Sequence, residues 1–163
     1  MASLDIVSKT DLQRVDNAVN TAKKELINRY DLKDELCSIE FDKKGKLIKL
    51  EAKQEMAMQT LIDIILGKFS KQDLDVRILD LSSGPRPSGR LVLQDIKIKE
   101  GLDKETAKKI VSHIKGFNSK LQPAIHEDQV RVSGKKIDDL QELMAELRQQ
   151  DFEVPLQFDN FRS

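Results

Sequence analysis

Tryptophan is absent, cysteine occurs once, and aromatic residues make up only 4% of the 163 residues. Each shortage excludes something. A lone Cys37 cannot close an internal disulfide, and no Cys/His cluster has the spacing of a zinc site. Of the two histidines, His113 falls near the end of a helical pattern and His126 in a hairpin pattern. Neither has a Cys or Ser beside it in a nucleophile setting. No catalytic residue, metal ligand or cofactor is therefore expected, and the chain reads as a non-enzyme. No apolar run approaches the ~20 residues of a membrane span. The start, MASLDIVSKTDLQ, lacks a basic segment followed by an apolar one, so no signal peptide is expected and a cytoplasmic location is the simplest reading. An excess of one charge is also missing, since Lys+Arg and Asp+Glu both number 28. Nucleic-acid binders gain non-specific affinity by releasing counterions and usually carry a basic excess. Any RNA contact here must rest on a local patch.

What is present is periodicity. Leu4–Ser8 is a short strand signal. In DLQRVDNAVNTAKKELINRY, Leu12, Val15, Val19, Ala22 and Leu26 form one apolar stripe of a helix that Thr10 or Asp11 can cap. CSIEFDKKGKLIKLEAK alternates as a hairpin, QEMAMQTLIDIILGKFSKQ reads as a second helix, and LDVRILDL alternates as a strand. SSGPRPSGR, residues 82–90, is the only stretch dense in Gly, Pro and Ser and reads as a linker. The order then repeats. LVLQDIKIK is a strand, with Val92, Ile96 and Ile98 as core positions. DKETAKKIVSHIKG is a helix capped by Asp103 and ended by Gly116. KLQPAIHE with QVRVSG makes a hairpin, KKIDDLQELMAELRQQ a helix, and PLQFDNF a closing strand. The expected fold is α+β: two tandem ferredoxin-like (βαββαβ) domains, each a four-stranded antiparallel sheet with two helices on one face. The expected domains are 1–84 and 90–163, joined by the 82–90 linker. Exchange of the first strand into the other domain's sheet stays open.

Gln129–Gln141, QVRVSGKKIDDLQ, has the outline of a phosphate loop: strand, glycine, lysines, helix. A Walker loop needs Gly, four residues, then Gly-Lys-Ser/Thr. Here Gln129 stands five before Gly134, and Lys136 stands at the Ser/Thr position. The simpler reading is a strand-to-helix turn with Ser133 near the cap. Lys135 and Lys136, beside free helix amides, remain candidates for a loosely held phosphate. The strongest charge bias runs from 97 to 120. Lys97, Lys99, Lys104, Lys108, Lys109, Lys115 and Lys120 face only three acidic residues there. It reads either as a solvated face or as a phosphate-contacting patch. The open sheet faces offer Lys49, Glu51, Lys53, Gln129, Arg131 and Ser133 but no aromatic, which disfavours base stacking of the RRM kind.

LDIVSKTDLQRVDNAV, KEGLDKETAKKIVSHIK, DQVRVSGKKIDDLQELMAELR and VPLQFDNFR together resemble the YajQ family of small bacterial proteins. The resemblance covers essentially the whole chain. It implies tandem RNP-like domains and binding of a nucleotide (GTP, ATP or cyclic di-GMP) or of tRNA. The basic residues in matching segments are Lys108, Lys109, Lys120, Arg131, Lys135 and Lys136. The chain departs from the family pattern at Arg29–Asp34, where members usually carry Arg-Phe-Asp-Phe-Lys-Gly. Lys97, Lys99, Lys104 and these six form the candidate phosphate-binding set of a non-catalytic nucleotide- or RNA-binding protein. The alternative is a protein-interaction adaptor or effector that responds to a cyclic dinucleotide.

Overall fold

The computed structural model describes all residues, Met1–Ser163. In chain order the elements are β1 (Ala2–Val7), α1 (Leu12–Asn28), β2 (Ser38–Asp42), β3 (Leu47–Ala52), α2 (Glu55–Lys71), β4 (Leu79–Asp80), β5 (Arg86–Ser88) and β6 (Leu91–Ile98). These are followed by α3 (Lys104–Phe117), β7 (Gln122–His126), β8 (Gln129–Gly134), α4 (Ile137–Gln149) and β9 (Gln157–Arg162). The helices form where the apolar stripes lie. Val15, Ala18, Val19 and Ala22 are buried on α1, and Ala107, Ile110 and Ile114 on α3. Asp11 caps α1 by accepting from the amides of Gln13 and Arg14, and Asp103 caps α3 by accepting from Thr106 N–H.

One antiparallel sheet has the order β7-β8-β1-β9 and carries α3 and α4; the other has the order β2-β3-β6-β4 and carries α1 and α2, with β5 paired alongside β6. Each is a ferredoxin-like arrangement, so the two-domain α+β fold is observed. The chain does not divide where its composition changes. One compact unit is Met1–Thr10 with Glu100–Ser163, and the other is Asp11–Lys99. The boundaries at 1–84 and 90–163 are therefore corrected. β1 leaves the stretch it precedes and lies between β8 and β9, while β6 fills the equivalent place between β3 and β4. Alternation sets the buried face of a strand but not its neighbour.

The supposed linker is part of the second sheet. Arg86, Pro87 and Ser88 pair with Leu93, Val92 and Leu91. The Arg86 guanidinium lies 3.1 Å from the Asp95 carboxylate. Leu74–Leu81 is no continuous strand either. A 3-10 turn at Val76–Ile78, started by the Asp75 side chain accepting from Arg77 N–H, leaves only Leu79–Asp80 to pair with β6. Gly116 does not end α3, which runs one residue further and is capped at Asn118. Pro123 is accommodated because β7 is an edge strand.

β1 and β6 occupy equivalent registers. Leu4, Asp5 and Ile6 face Val132, Arg131 and Val130, and Gln94, Asp95 and Ile96 face Leu50, Lys49 and Ile48. Each central strand thus sets a carboxylate opposite a cation. Asp5 is only 2% exposed. It accepts from Arg131 Nε at 2.9 Å and from Asn160 Nδ2 at 2.8 Å. Asn160 sits at a bulge in β9 with φ of 51°, which aims its amide at Asp5. The hydrogen bond from Arg131, together with Asn160, holds the Asp5 carboxyl below the usual carboxylate range despite its burial. The registers differ at the core position. Where β1 carries Leu4, β6 carries Gln94, 3% exposed, with an Oε1 that accepts no hydrogen bond.

Four outcomes follow from this architecture. A fragment of residues 11–99 retains every strand of its sheet and unfolds cooperatively in urea. A fragment of 90–163 lacks the central strand of its sheet and stays unfolded by circular dichroism. Gln94→Leu removes a buried unpaired acceptor and raises stability by about 1–2 kcal/mol in urea titration. Asp5→Asn lowers stability at neutral pH by about 1–3 kcal/mol. The folded carboxyl titrates below its unfolded value, so its contribution is complete above roughly pH 4 and fades as pH falls through the folded pKa. The urea midpoints of wild type and Asp5→Asn therefore converge on acidification below about pH 4.

Candidate nucleotide site

Beside its core stripe, α3 presents a second line at spacings of four and three: Lys109, His113 and Gly116. Glu146 on α4 and Phe152 just beyond it face this line. Together with Ser112 and Phe117 they line an open, shallow cleft of about 560 Å³. The His113 and Phe152 rings meet edge to face, with centroids 5.9 Å apart and planes at 83°. His113 Nε2 lies 3.2 Å from Glu146 Oε1, and that oxygen also accepts from Gln150 Nε2 at 3.1 Å. An ionised carboxylate can only accept, so Nε2 is the donor in this contact and Nδ1 is turned away from Glu146. Phe117 stays 40% exposed at the mouth. A Cβ on Gly116 would meet nothing within 4 Å, so the glycine leaves that wall open. Rings, a cation and a wall without a side chain converge here, within the volume range of small-molecule sites.

The sequence candidates do not form one patch. Lys97 and Lys99 belong to the Asp11–Lys99 unit, the other seven to the unit completed by β1. Lys97 lies exposed on β6 in register with Asp80, and the backbone N–H of Lys99 donates to Ile78 O. Lys104, Lys108 and Lys109 lie exposed along α3, and only Lys109 lines the cleft. Lys120 follows α3 in a loop where its N–H donates to the Asn118 side chain. Arg131 is on the face of its sheet opposite the flanking core residues Val130 and Val132, committed to Asp5. Lys135 and Lys136 are exposed in the turn before α4.

That turn is not a phosphate cradle. Gly134 is buried at the end of β8, and a Cβ there would come within 2.8 Å of Leu121 Cδ2. The glycine lets Leu121 pack directly against the backbone there. Ser133 belongs to β8 rather than to the helix cap. α4 starts after Lys136, which supplies no side-chain cap, and Asp138 and Asp139 occupy its first turn.

The other unit has a cleft of about 410 Å³ on α1 and α2 whose lining includes Arg29, Lys68, Lys71, Glu25 and Asp63. It is largely neutralised from within. Lys68 Nζ lies 2.8 Å from Glu25 Oε1, and Arg29 binds both Glu25 and Asp31. These pairs hold the Asp31 and Glu25 carboxyls below their usual range. The α3–α4 cleft differs in its two phenylalanines and in Lys109, for which no ion pair is seen, and the reading of the sequence missed most of it. Lys109 was singled out for its charge. Glu146 and Phe152 lie 33 or more residues from His113, and no local pattern links them. No group of three His, Cys, Asp or Glu side chains converges where a metal ion could sit, and no helix is long and apolar enough to cross a membrane.

A family model described as nucleotide-binding protein, YajQ-like, matches residues 2–162. A nucleotide-binding protein of Cytophaga hutchinsonii is 46% identical over 99% of this chain and its own full length. One of Oleidesulfovibrio alaskensis is 45% identical over the full length of both. One of Pseudomonas putida is 47% identical over 99% of each. The chain belongs to the YajQ-like family.

Proposed function

We propose that this YajQ-like protein binds a purine nucleotide in the α3–α4 cleft, without catalysing its conversion. The observation that carries the reading is the meeting of the Phe117, Phe152 and His113 rings with Lys109 around one open wall. A base gains about 1–3 kcal/mol by stacking on an aromatic side chain, and a lysine beside it supplies a point charge for phosphate. Lys104 and Lys108, exposed further along α3, extend the positive field toward a second phosphate. With Nε2 held by Glu146, the His113 ring presents its Nδ1 edge to a polar group of the base. The names of the family and of its relatives support a binding role. GTP, ATP and cyclic di-GMP all present the required rings and phosphates. A longer RNA such as tRNA would use the lysine stripe more than the cleft. A cytoplasmic location goes with such ligands.

Calorimetric titration with GTP, ATP, cyclic di-GMP and bulk tRNA, each at two salt concentrations, tests this reading. Saturable binding of one purine nucleotide is expected. Phe117→Ala and Lys109→Ala each weaken it about tenfold, while neutralising Lys135 and Lys136 together leaves it unchanged. Binding that persists in both cleft variants overturns the assignment to this cleft. Binding of tRNA alone, erased by salt, replaces it with a generic phosphate surface.

A further inference from the structure

The polar contacts across the α3–α4 cleft run through one imidazole. His113 Nε2 meets Glu146 Oε1 at 3.2 Å, and the same oxygen accepts from Gln150 Nε2. Edge-to-face packing on Phe152 limits rotation of the ring. One ring nitrogen is therefore committed, and the other is turned away from Glu146. The side chain keeps 30% of its surface exposed, so water and protons reach it.

Two charged groups face this ring. Lys109 stands one turn earlier on the same line of α3, at the spacing of helix neighbours. Glu146 reaches the ring from α4. The segment after α4 contributes the uncharged Phe152, and α3 adds Ser112, Gly116 and Phe117. The next carboxylates along that side, Glu142 and Asp151, do not line the cleft. With a neutral imidazole, the charges of the lining cancel.

Histidine is the side chain that ordinarily changes charge near neutrality, at about pH 6.5. A hydrogen on Nε2 serves Glu146 in either charge state, so the second proton goes to Nδ1. Protonation thus leaves the contact between α3 and α4 in place. It makes the free edge a donor and sets a second positive charge beside Lys109. An anion entering the cleft favours that charged form.

We propose, on the basis of nucleotide binding in this cleft, that His113 takes up a proton as the ligand enters, so that the site tightens as pH falls. The ligand sets the sign. Its phosphates are anionic, and by linkage whatever the imidazolium adds to nucleotide affinity the nucleotide adds to proton affinity. The other histidine, His126, is exposed at the hairpin end of β7 and lies outside the cleft lining.

The test is calorimetric titration of wild type, His113→Gln and His126→Gln with GTP, ATP and cyclic di-GMP at one salt concentration, at about pH 6 and about pH 8. Circular dichroism checks the fold of each variant. Terminal phosphates also titrate near pH 6. The quantity read is therefore the wild-type affinity ratio between the two pH values, divided by that of His113→Gln. A quotient of about three- to tenfold is expected, as a displaced titration of roughly half to one pH unit produces. His126→Gln keeps the wild-type ratio. A second measurement leaves His113 in place. In His126→Gln one histidine remains, and its imidazole proton resonances should titrate at higher pH with nucleotide bound than without. Equal ratios in wild type and His113→Gln overturn the linkage while nucleotide binding stands. So does a His113 titration that bound nucleotide leaves unmoved or shifts to lower pH. If none of the three nucleotides binds at either pH, the cleft assignment itself fails and the linkage with it.

Discussion

Each sheet depends on a central strand that the chain supplies from outside the stretch forming the rest of that sheet. β1 makes hydrogen-bonded ladders on both sides, to β8 and β9, and β6 does the same with β3 and β4. Leu4 and Ile6 complete one core, Ile96 and Ile98 the other. The Asp5–Arg131 and Asp95–Lys49 registers place the same charge pairing at the middle of both sheets. A cross-strand pair of this kind contributes only a few tenths to one kcal/mol. The larger constraint is apolar burial, because a missing central strand opens both flanking ladders and one side of the core at once. Folding must therefore close loops nearly as long as the chain, with Asp5 and Asn160 155 residues apart. Contacts of such separation are formed at high entropic cost.

This constraint bears on where ligands can be bound. Net charge is zero, so binding cannot rely on a global field and must come from local arrangement. Several cations are already committed to carboxylates of the protein. Arg131 holds Asp5, Arg29 and Lys68 hold Glu25, and Arg77 holds Asp75 through its guanidinium. The lysines of α3 are exposed beside a cleft whose polar pair, His113 and Glu146, is satisfied internally. That leaves Lys109, the ring faces and His113 Nδ1 as the chemistry available there.

Much of the local structure was legible in the chain. The apolar stripes of Val15, Val19 and Ala22 and of Ala107, Ile110 and Ile114 mark helices because a 3.6-residue period brings them onto one face. Asp11 and Asp103 mark helix starts because a short carboxylate reaches the first free amides. Ile48, Leu50 and Ala52 mark a strand with one buried face. The failures share a cause. Leu74–Leu81 alternates convincingly, yet Asp75 closes a local turn that competes with the sheet. Ser82–Arg90 has the composition of a linker, yet its backbone finds a neighbour in β6. Composition reports what a segment prefers in isolation, whereas pairing depends on what lies beside it.

The sequence by itself determined the helices, the buried face of most strands and the two βαββαβ patterns, because these depend on periodicity within a few turns. It also marked the basic run, including Lys109. Only the tertiary structure decided which strand completes which sheet. Leu4-Asp5-Ile6 and Gln94-Asp95-Ile96 carry nearly the same pattern, and neither names its partner. Tertiary structure likewise separated Lys97 and Lys99 from the α3 lysines, turned Arg131 toward Asp5, and brought Glu146 and Phe152 to His113. Those relations join residues 33 to 126 positions apart, and no periodicity extends across such separations.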